Sequence, residues 1–331
     1  MTGMLTALAV CAMGLPVIAS AAPALKERYV FTAQEAGSSM LVYTTTITGF
    51  LAKYLPESVK LDINPSGGTV ASASMVQSGK ADVGWAEASA LWAYEGKILY
   101  KAPHGKIRAV AGGVQASNNQ AFMTSAFSEK YGVKTFEDLK AKKPPVRIFT
   151  KKRGSMGQAV APLQLEAYGI TYDDIKAWGG VVVETGLGEI IDALRDNRGD
   201  LWLDNFPPGQ SAATELCQTA DVRMLKHTEA GVDYLTRYGF YKGVTPAGTW
   251  KVQTEDVLQP VAVTILITSA DQSDEFVYLL TKALCENADG FRKSMAGAAK
   301  FDEKTAWKPE KTLIPLHPGA EKYYREVGWM Q

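Results

Sequence analysis

No surplus of either charge marks this chain. Thirty-five Lys and Arg face thirty-five Asp and Glu, so nothing basic invites nucleic acid. Histidine is scarce. His104, His227 and His317 stand far apart, and no cysteine pair has ligand spacing, so the usual metal patterns are excluded. Catalytic signatures are missing as well: no G-x-S-x-G elbow, no Walker loop, no dinucleotide fingerprint in its proper context. These absences point away from an enzyme and imply neither metal nor cofactor. After residue 24 only Cys217 and Cys285 remain, enough for one disulfide at most. They fall in different halves of the organisation read below, which favours two buried, unpaired thiols.

What is present begins with the first 24 residues, which carry no charged side chain. Leu5 to Ile18 is an apolar stretch of secretory length, too short and too interrupted by Gly14 and Pro16 to span a membrane comfortably. Ala19-Ser20-Ala21 fits the small-x-small cleavage rule, so the reading is export, with a signal peptide over 1–21 cut near Ala21/Ala22 and a periplasmic mature chain.

Beyond it, strand and helix patterns alternate. Strands are read at Val30–Thr32, Lys60–Ile63, Arg108–Val114, Val146–Thr150, Val181–Val183, Leu201–Leu203 and Val261–Thr268. Helices are read over about Leu41–Leu55, after Thr69, near Leu187–Leu194 and from about Asp274 to Asn287. Two pieces match: "QSGKADVGWAE" and "DNRGDLWLDN" each run helix end, glycine, aspartate, apolar strand with a tryptophan, then acid. Alternating strands and helices imply parallel sheets. One unit used twice implies two α/β lobes, with lobe 1 over 22–118, lobe 2 over 119–244, and a return to lobe 1 over 245–331. Two strands would cross between the lobes, and a cleft would lie between them.

In such sheets ligands sit beyond the carboxyl ends of the strands, and the Gly/Ser/Thr turns fall there. Ser38-Ser39 and Gly67-Gly68-Thr69 each open a helix, whose free N–H groups attract anions; plain capped turns would read the same way. Arg153-Gly154-Ser155 opens a third helix and adds a guanidinium able to grip a carboxylate with two bonds, unless it is only a solvated basic turn. Glu87 and Asp204-Asn205 follow the matched strands and could accept from an ammonium, amide or hydroxyl; capping or interlobe bonding would also explain Asp204. Tyr43, Trp85, Trp92 and Trp202 read as core rather than pocket walls.

These blocks together resemble the TAXI family of solute receptors, the substrate-binding subunits of tripartite ATP-independent periplasmic (TRAP) transporters. "NPSGGTVASASMVQSGKADVGWAEASALWAYEG", "KIRAVAGGVQASNNQAFMT", "KTFEDLKAKKPPVRI", "TPAGTW" and the tail "IPLHPGAEKYYREVGW" stand in the family's order. The resemblance implies a type II periplasmic-binding fold that closes on a small carboxylate or amino-acid-like ligand. It implies delivery to a TRAP membrane permease; a sensory receptor of the same fold reporting to a membrane kinase is the alternative. A monomer is expected. Carried over by position, ligand contacts fall on Ser39, on Gly67, Gly68 and Thr69, and on Gly154 and Ser155. Glu35, Glu87, Lys152 and Arg153 depart from the family's usual pattern, so the charges of this pocket are its own.

Overall fold

The computed structural model describes residues 25–331. The expected signal peptide and its cleavage site lie outside the described residues. Among the described residues twelve strands form two sheets. The first contains β1 (Arg28–Thr32), β2 (Lys60–Asn64), β3 (Val83–Ala86), β4 (Ile107–Ala111) and β12 (Ile265–Ser269), in the order β2-β1-β3-β12-β4. The second contains β5 (Ala116–Thr124), β6 (Arg147–Lys151), β7 (Val181–Thr185), β8 (Leu201–Phe206), β10 (Tyr241–Thr245) and β11 (Val257–Val263), with β9 (Val222–Met224) paired to β5. Its order, β7-β6-β8-β5-β11-β10, repeats the plan of the first. This is the two-lobe α/β fold of periplasmic solute-binding proteins.

The sheets are mixed rather than parallel throughout. β1 pairs parallel with β2 and β3, and β6 pairs parallel with β7 and β8. β12 and β5 run antiparallel to their neighbours β3 and β8. Each is the strand that arrives from the opposite lobe, so it enters its sheet from the cleft end and must run backwards. The stretch read as one strand, Val261–Thr268, is divided: β11 ends in the second sheet at Val263, and β12 starts in the first at Ile265. Residues 245–263 therefore sit with the second sheet, whereas a return to lobe 1 at 245 was expected. Their pattern hides this, because an apolar β-branched run looks the same in either buried sheet. The segment "TPAGTWKVQTEDVLQP" contributes Val257–Pro260 to β11, in a hairpin with β10.

Inside each lobe an aspartate ties the strand that leaves the helix to its neighbour. Asp82 N donates to Val30 O (2.8 Å) while Asp82 Oδ2 accepts from Val30 N (2.7 Å). Asp200 N donates to Arg147 O (2.9 Å) while Asp200 Oδ2 accepts from Arg147 N (2.8 Å). The guanidinium of Arg147 adds two more bonds to Asp200, at 2.8 and 2.6 Å. Asp200→Ala leaves a part-buried backbone N–H without its acceptor and strips the guanidinium of Arg147 of its partner, and the expected loss is about 2 kcal/mol. Urea unfolding should show it as a lower midpoint with unchanged slope.

The matched aspartates also set the register of the internal repeat. Val30 corresponds to Arg147, so Gln34 corresponds to Lys151. Strand pairs Phe31–Val83 and Ile148–Leu201 agree with that register. Counting along β3 and β8 then places Glu87 opposite Asn205. Aligning on the tryptophans puts Glu87 opposite Asp204, one residue off, and in a strand one residue exchanges the faces. Cys217 and Cys285 are free and buried, one in each lobe.

Candidate functional site

The two crossovers run side by side. Val114 N donates to Thr264 O (3.0 Å), and Thr264 N donates to Gln115 O (2.9 Å). On one flank the lobes meet through apolar side chains. Val70, Ala73 and Trp92 of the first lobe share a cluster with Met156, Val160 and Leu163 of the second. The indole of Trp92 donates across the gap to Tyr238 O (2.8 Å). Between hinge and flank lies a small, partly open cavity of about 20 Å³, room for about one water.

Four equivalent strand ends supply its chemistry: Gln34 beyond β1, Glu87 beyond β3, Lys151 closing β6, and Asn205 near the end of β8 all line the cavity. Ser38, Ser39, Thr69, Gln115 and Ser117 line it too. Lys151 Nζ reaches Gln34 Oε1 across the lobes at 3.4 Å. Gln115 is fixed by Tyr43, whose hydroxyl donates to Oε1 at 2.7 Å, leaving the amide nitrogen to donate to Ser117 Oγ at 2.9 Å and Ser39 Oγ at 3.4 Å. Asn205 donates to Asn119 Oδ1 at 2.7 Å and Ser117 O at 3.3 Å. Its own Oδ1 is buried without a partner among the described residues, an acceptor that calls for a donor.

Glu87 is 2% exposed. Its Oε2 accepts from Thr69 Oγ1 at 3.4 Å and its Oε1 from Thr264 Oγ1 at 3.2 Å. Burial above all raises its carboxyl to about 7; hydroxyls of Ser117 and Thr264 and the charge of Lys151 pull the other way, and Asp204 pushes with burial. Asp204 lies behind the cavity wall, 1% exposed. There its Oδ1 accepts from Asn205 N at 2.7 Å and its Oδ2 from Trp202 Nε1 at 3.2 Å. Burial raises it to about 6, against the pull of Lys151. Gly157 is required beside it, since a Cβ there would fall 1.8 Å from Asp204 Oδ1.

Of the residues singled out in the sequence, Ser38, Ser39, Thr69, Glu87 and Asn205 converge on the cavity. The others do not line it. Asp204 is turned to the opposite face of β8 by strand alternation. Arg153, expected to grip an anion, is exposed at the outer mouth of the cleft, and Lys151, two residues earlier and 7% exposed, provides the cation. Ser155 is spent as a helix cap, accepting from Gln158 N at 3.2 Å. The free amides after Gly67-Gly68-Thr69, expected to face an anion, meet a protein atom instead. Gly154 O accepts from Val70 N at 3.2 Å and from Ala71 N at 3.0 Å, across the lobes. Gly67 packs on Thr32, where an added Cβ would lie 2.8 Å from its Cβ.

Sequence reasoning passed over Gln34, Lys151, Gln115 and Ser117. The strand-end rule would have found Lys151, had Val146–Thr150 been extended by one residue. Gln115 and Ser117 carry no such signal, because they sit at a crossover that only the sheet order reveals. Tyr43, Trp85, Trp92 and Trp202 are buried, as expected. Among the described residues no group of three His, Cys, Asp or Glu side chains could hold a metal ion.

Comparison with known proteins bears on the fold and the family. MatC (Rpa3494) from Rhodopseudomonas palustris, solved with bound malate, is similar over 91% of this chain and 97% of its own, at 13% identity and a TM-score of 0.53. R. palustris Rpa4515, solved with adipate, is similar over 91% of this chain and 92% of its own, at 15% identity and a TM-score of 0.48. The model of the NMT1-like family matches residues 31–328. With the match running from β1 through the last helix, this chain belongs to the NMT1-like family.

Proposed function

We propose that this protein is an exported, monomeric solute receptor of the TAXI type. It captures a small carboxylate or amino-acid-like ligand between its lobes in the periplasm and delivers it to a TRAP membrane permease. One observation carries the reading: a small polar cavity between the lobes, which must widen to admit a solute, receives a buried cation, Lys151, from one lobe and a buried acid, Glu87, from the other. Lys151 would hold the ligand's carboxylate. Glu87 and Asn205 Oδ1 would meet its donor groups, and Ser39 and Thr69 hydroxyls would fix its orientation. A ligand touching both lobes favours the closed arrangement by its differential affinity. Malate in the solved MatC is a ligand of the expected class for that fold.

The test is a thermal-shift screen of dicarboxylates, keto acids, amino acids and sugar acids. A true ligand at a hundred times its dissociation constant stabilises by about 2.7 kcal/mol. A panel in which no member shifts the melt would remove the receptor reading.

A further inference from the structure

Three ionisable groups lie in or directly behind the cavity: Lys151 is 7% exposed, Glu87 2% and Asp204 1%. None of them forms an ion pair within 4 Å among the described residues; Lys152 and Glu35, paired with each other at 3.5 Å, stand at the mouth. Fully ionised, one ammonium faces two carboxylates. An entering carboxylate would add a second uncompensated negative charge in a water-poor space, which desolvation opposes strongly. The loaded cleft therefore needs one more positive charge, from the ligand's own amine or from a proton.

The contacts decide which acid can take a proton. Asp204 accepts from a backbone N–H and an indole N–H, donors that cannot turn into acceptors. They favour its ionised form over the neutral one. Glu87 is surrounded by hydroxyls instead: Thr69 and Thr264 on its oxygens, with Ser117 beside them. Hydroxyls accept as readily as they donate, so this shell can receive a proton from the neutral acid as well as donate to the ionised one. The charged groups facing Glu87 are Lys151 from β6 and Asp204 from β8; Glu35, from the first lobe, acts on Asp204.

We infer that Glu87 is the proton-accepting, specificity-determining residue of the cleft, and that capture of a carboxylate without an amine is coupled to uptake of a proton there. The inference rests on the receptor reading and deepens it. The elevation of the Glu87 carboxyl to about 7 runs in the same sense. The sign follows from linkage: the loaded form holds more protons than the empty one, so affinity for amine-free carboxylates falls as pH rises above neutrality, by up to about tenfold per pH unit. With an amine-bearing acid the ligand's ammonium supplies the charge, and proton uptake disappears.

Calorimetric titration with malate, 2-oxoglutarate and L-glutamate near pH 8, in buffers of differing ionisation enthalpy, reads the coupling directly. Malate or 2-oxoglutarate should take up about one proton per ligand. Glu87→Gln, a fixed neutral amide, should abolish the buffer dependence and flatten the dependence of affinity on pH. Amine-free binding with buffer-independent heat would overturn the inference. So would buffer dependence that survives in Glu87→Gln, or a site that binds only the amine-bearing acid. A ligand-independent readout keeps this apart from failure of the receptor reading. In protein carrying ¹³C-labelled glutamate, with Glu87→Gln identifying the resonance, a carboxyl midpoint near neutrality supports the assignment. A midpoint in the ordinary carboxylate range overturns it, whether or not any compound of the panel binds.

Discussion

Replacing Gly68 by alanine is expected to hold the two lobes apart. A Cβ built on Gly68 falls 2.3 Å from Gly154 O, 2.8 Å from Gly154 C and 2.8 Å from Ser155 Cα. All three are backbone atoms of the opposite lobe, so no side chain can swing away. The same carbonyl receives Val70 N and Ala71 N, and separation of the lobes breaks both bonds. Within its own lobe Gly68 has φ −74° and ψ 168°, a conformation alanine adopts without strain. The substitution therefore spares the folding of each lobe and acts on closure alone. Small-angle scattering should show an enlarged radius of gyration that ligand does not reduce. Affinity should drop by at least about a hundredfold, close to 3 kcal/mol, because contacts with one lobe are lost. Circular dichroism should be unchanged. A variant that compacts and binds like the parent would show that the lobes do not need this approach.

Lys151→Met should abolish capture of carboxylates, while Arg153→Ala should leave it nearly intact. Lys151 is the buried cation of the cavity, and methionine keeps its length while removing the charge. A charge-assisted bond is worth about 1.5–3 kcal/mol, and here Glu87 and Asp204 also lose the positive charge that acts on both. A loss of about a hundredfold or more follows in the thermal-shift or calorimetric readout. Arg153 is exposed at the mouth, where truncation of an exposed cation has a small effect. The reverse pattern, with Arg153→Ala silent to ligand and Lys151→Met normal, would move the anion site out to the mouth.

Much of this fold was legible because its strands and helices are locally consistent. The glycines, aspartates and apolar runs at Gly79–Ala86 and Gly199–Leu203 announced a repeated unit, and the structure assigns both aspartates the same reciprocal bond. The site was legible only where a residue's neighbours along the chain determine its role. Ser39, Thr69 and Glu87 stand at strand ends or helix starts and line the cavity. Arg153 looked stronger than Lys151 because a guanidinium suits carboxylates. Which cation is buried depends instead on where β6 ends. The crossing of the chain at Thr264 was hidden inside an uninterrupted apolar run, since no local signal marks the residue at which a strand changes sheets. Gln115 and Thr264, the hydrogen-bonded pair at that crossing, were invisible for the same reason.

The register fixed by the two aspartates has one more consequence. It relates Gln34 to Lys151 and Glu87 to Asn205, so at these strand ends each lobe brings one amide and one charged group to the cavity, with opposite signs. The slot is therefore polarised along the line joining the lobes. A solute with unlike ends is pulled into one orientation, its anionic end toward Lys151 and its donors toward Glu87. Dissolved salt weakens that pull while the gap is wide and wet, and scarcely touches it once the gap has shut.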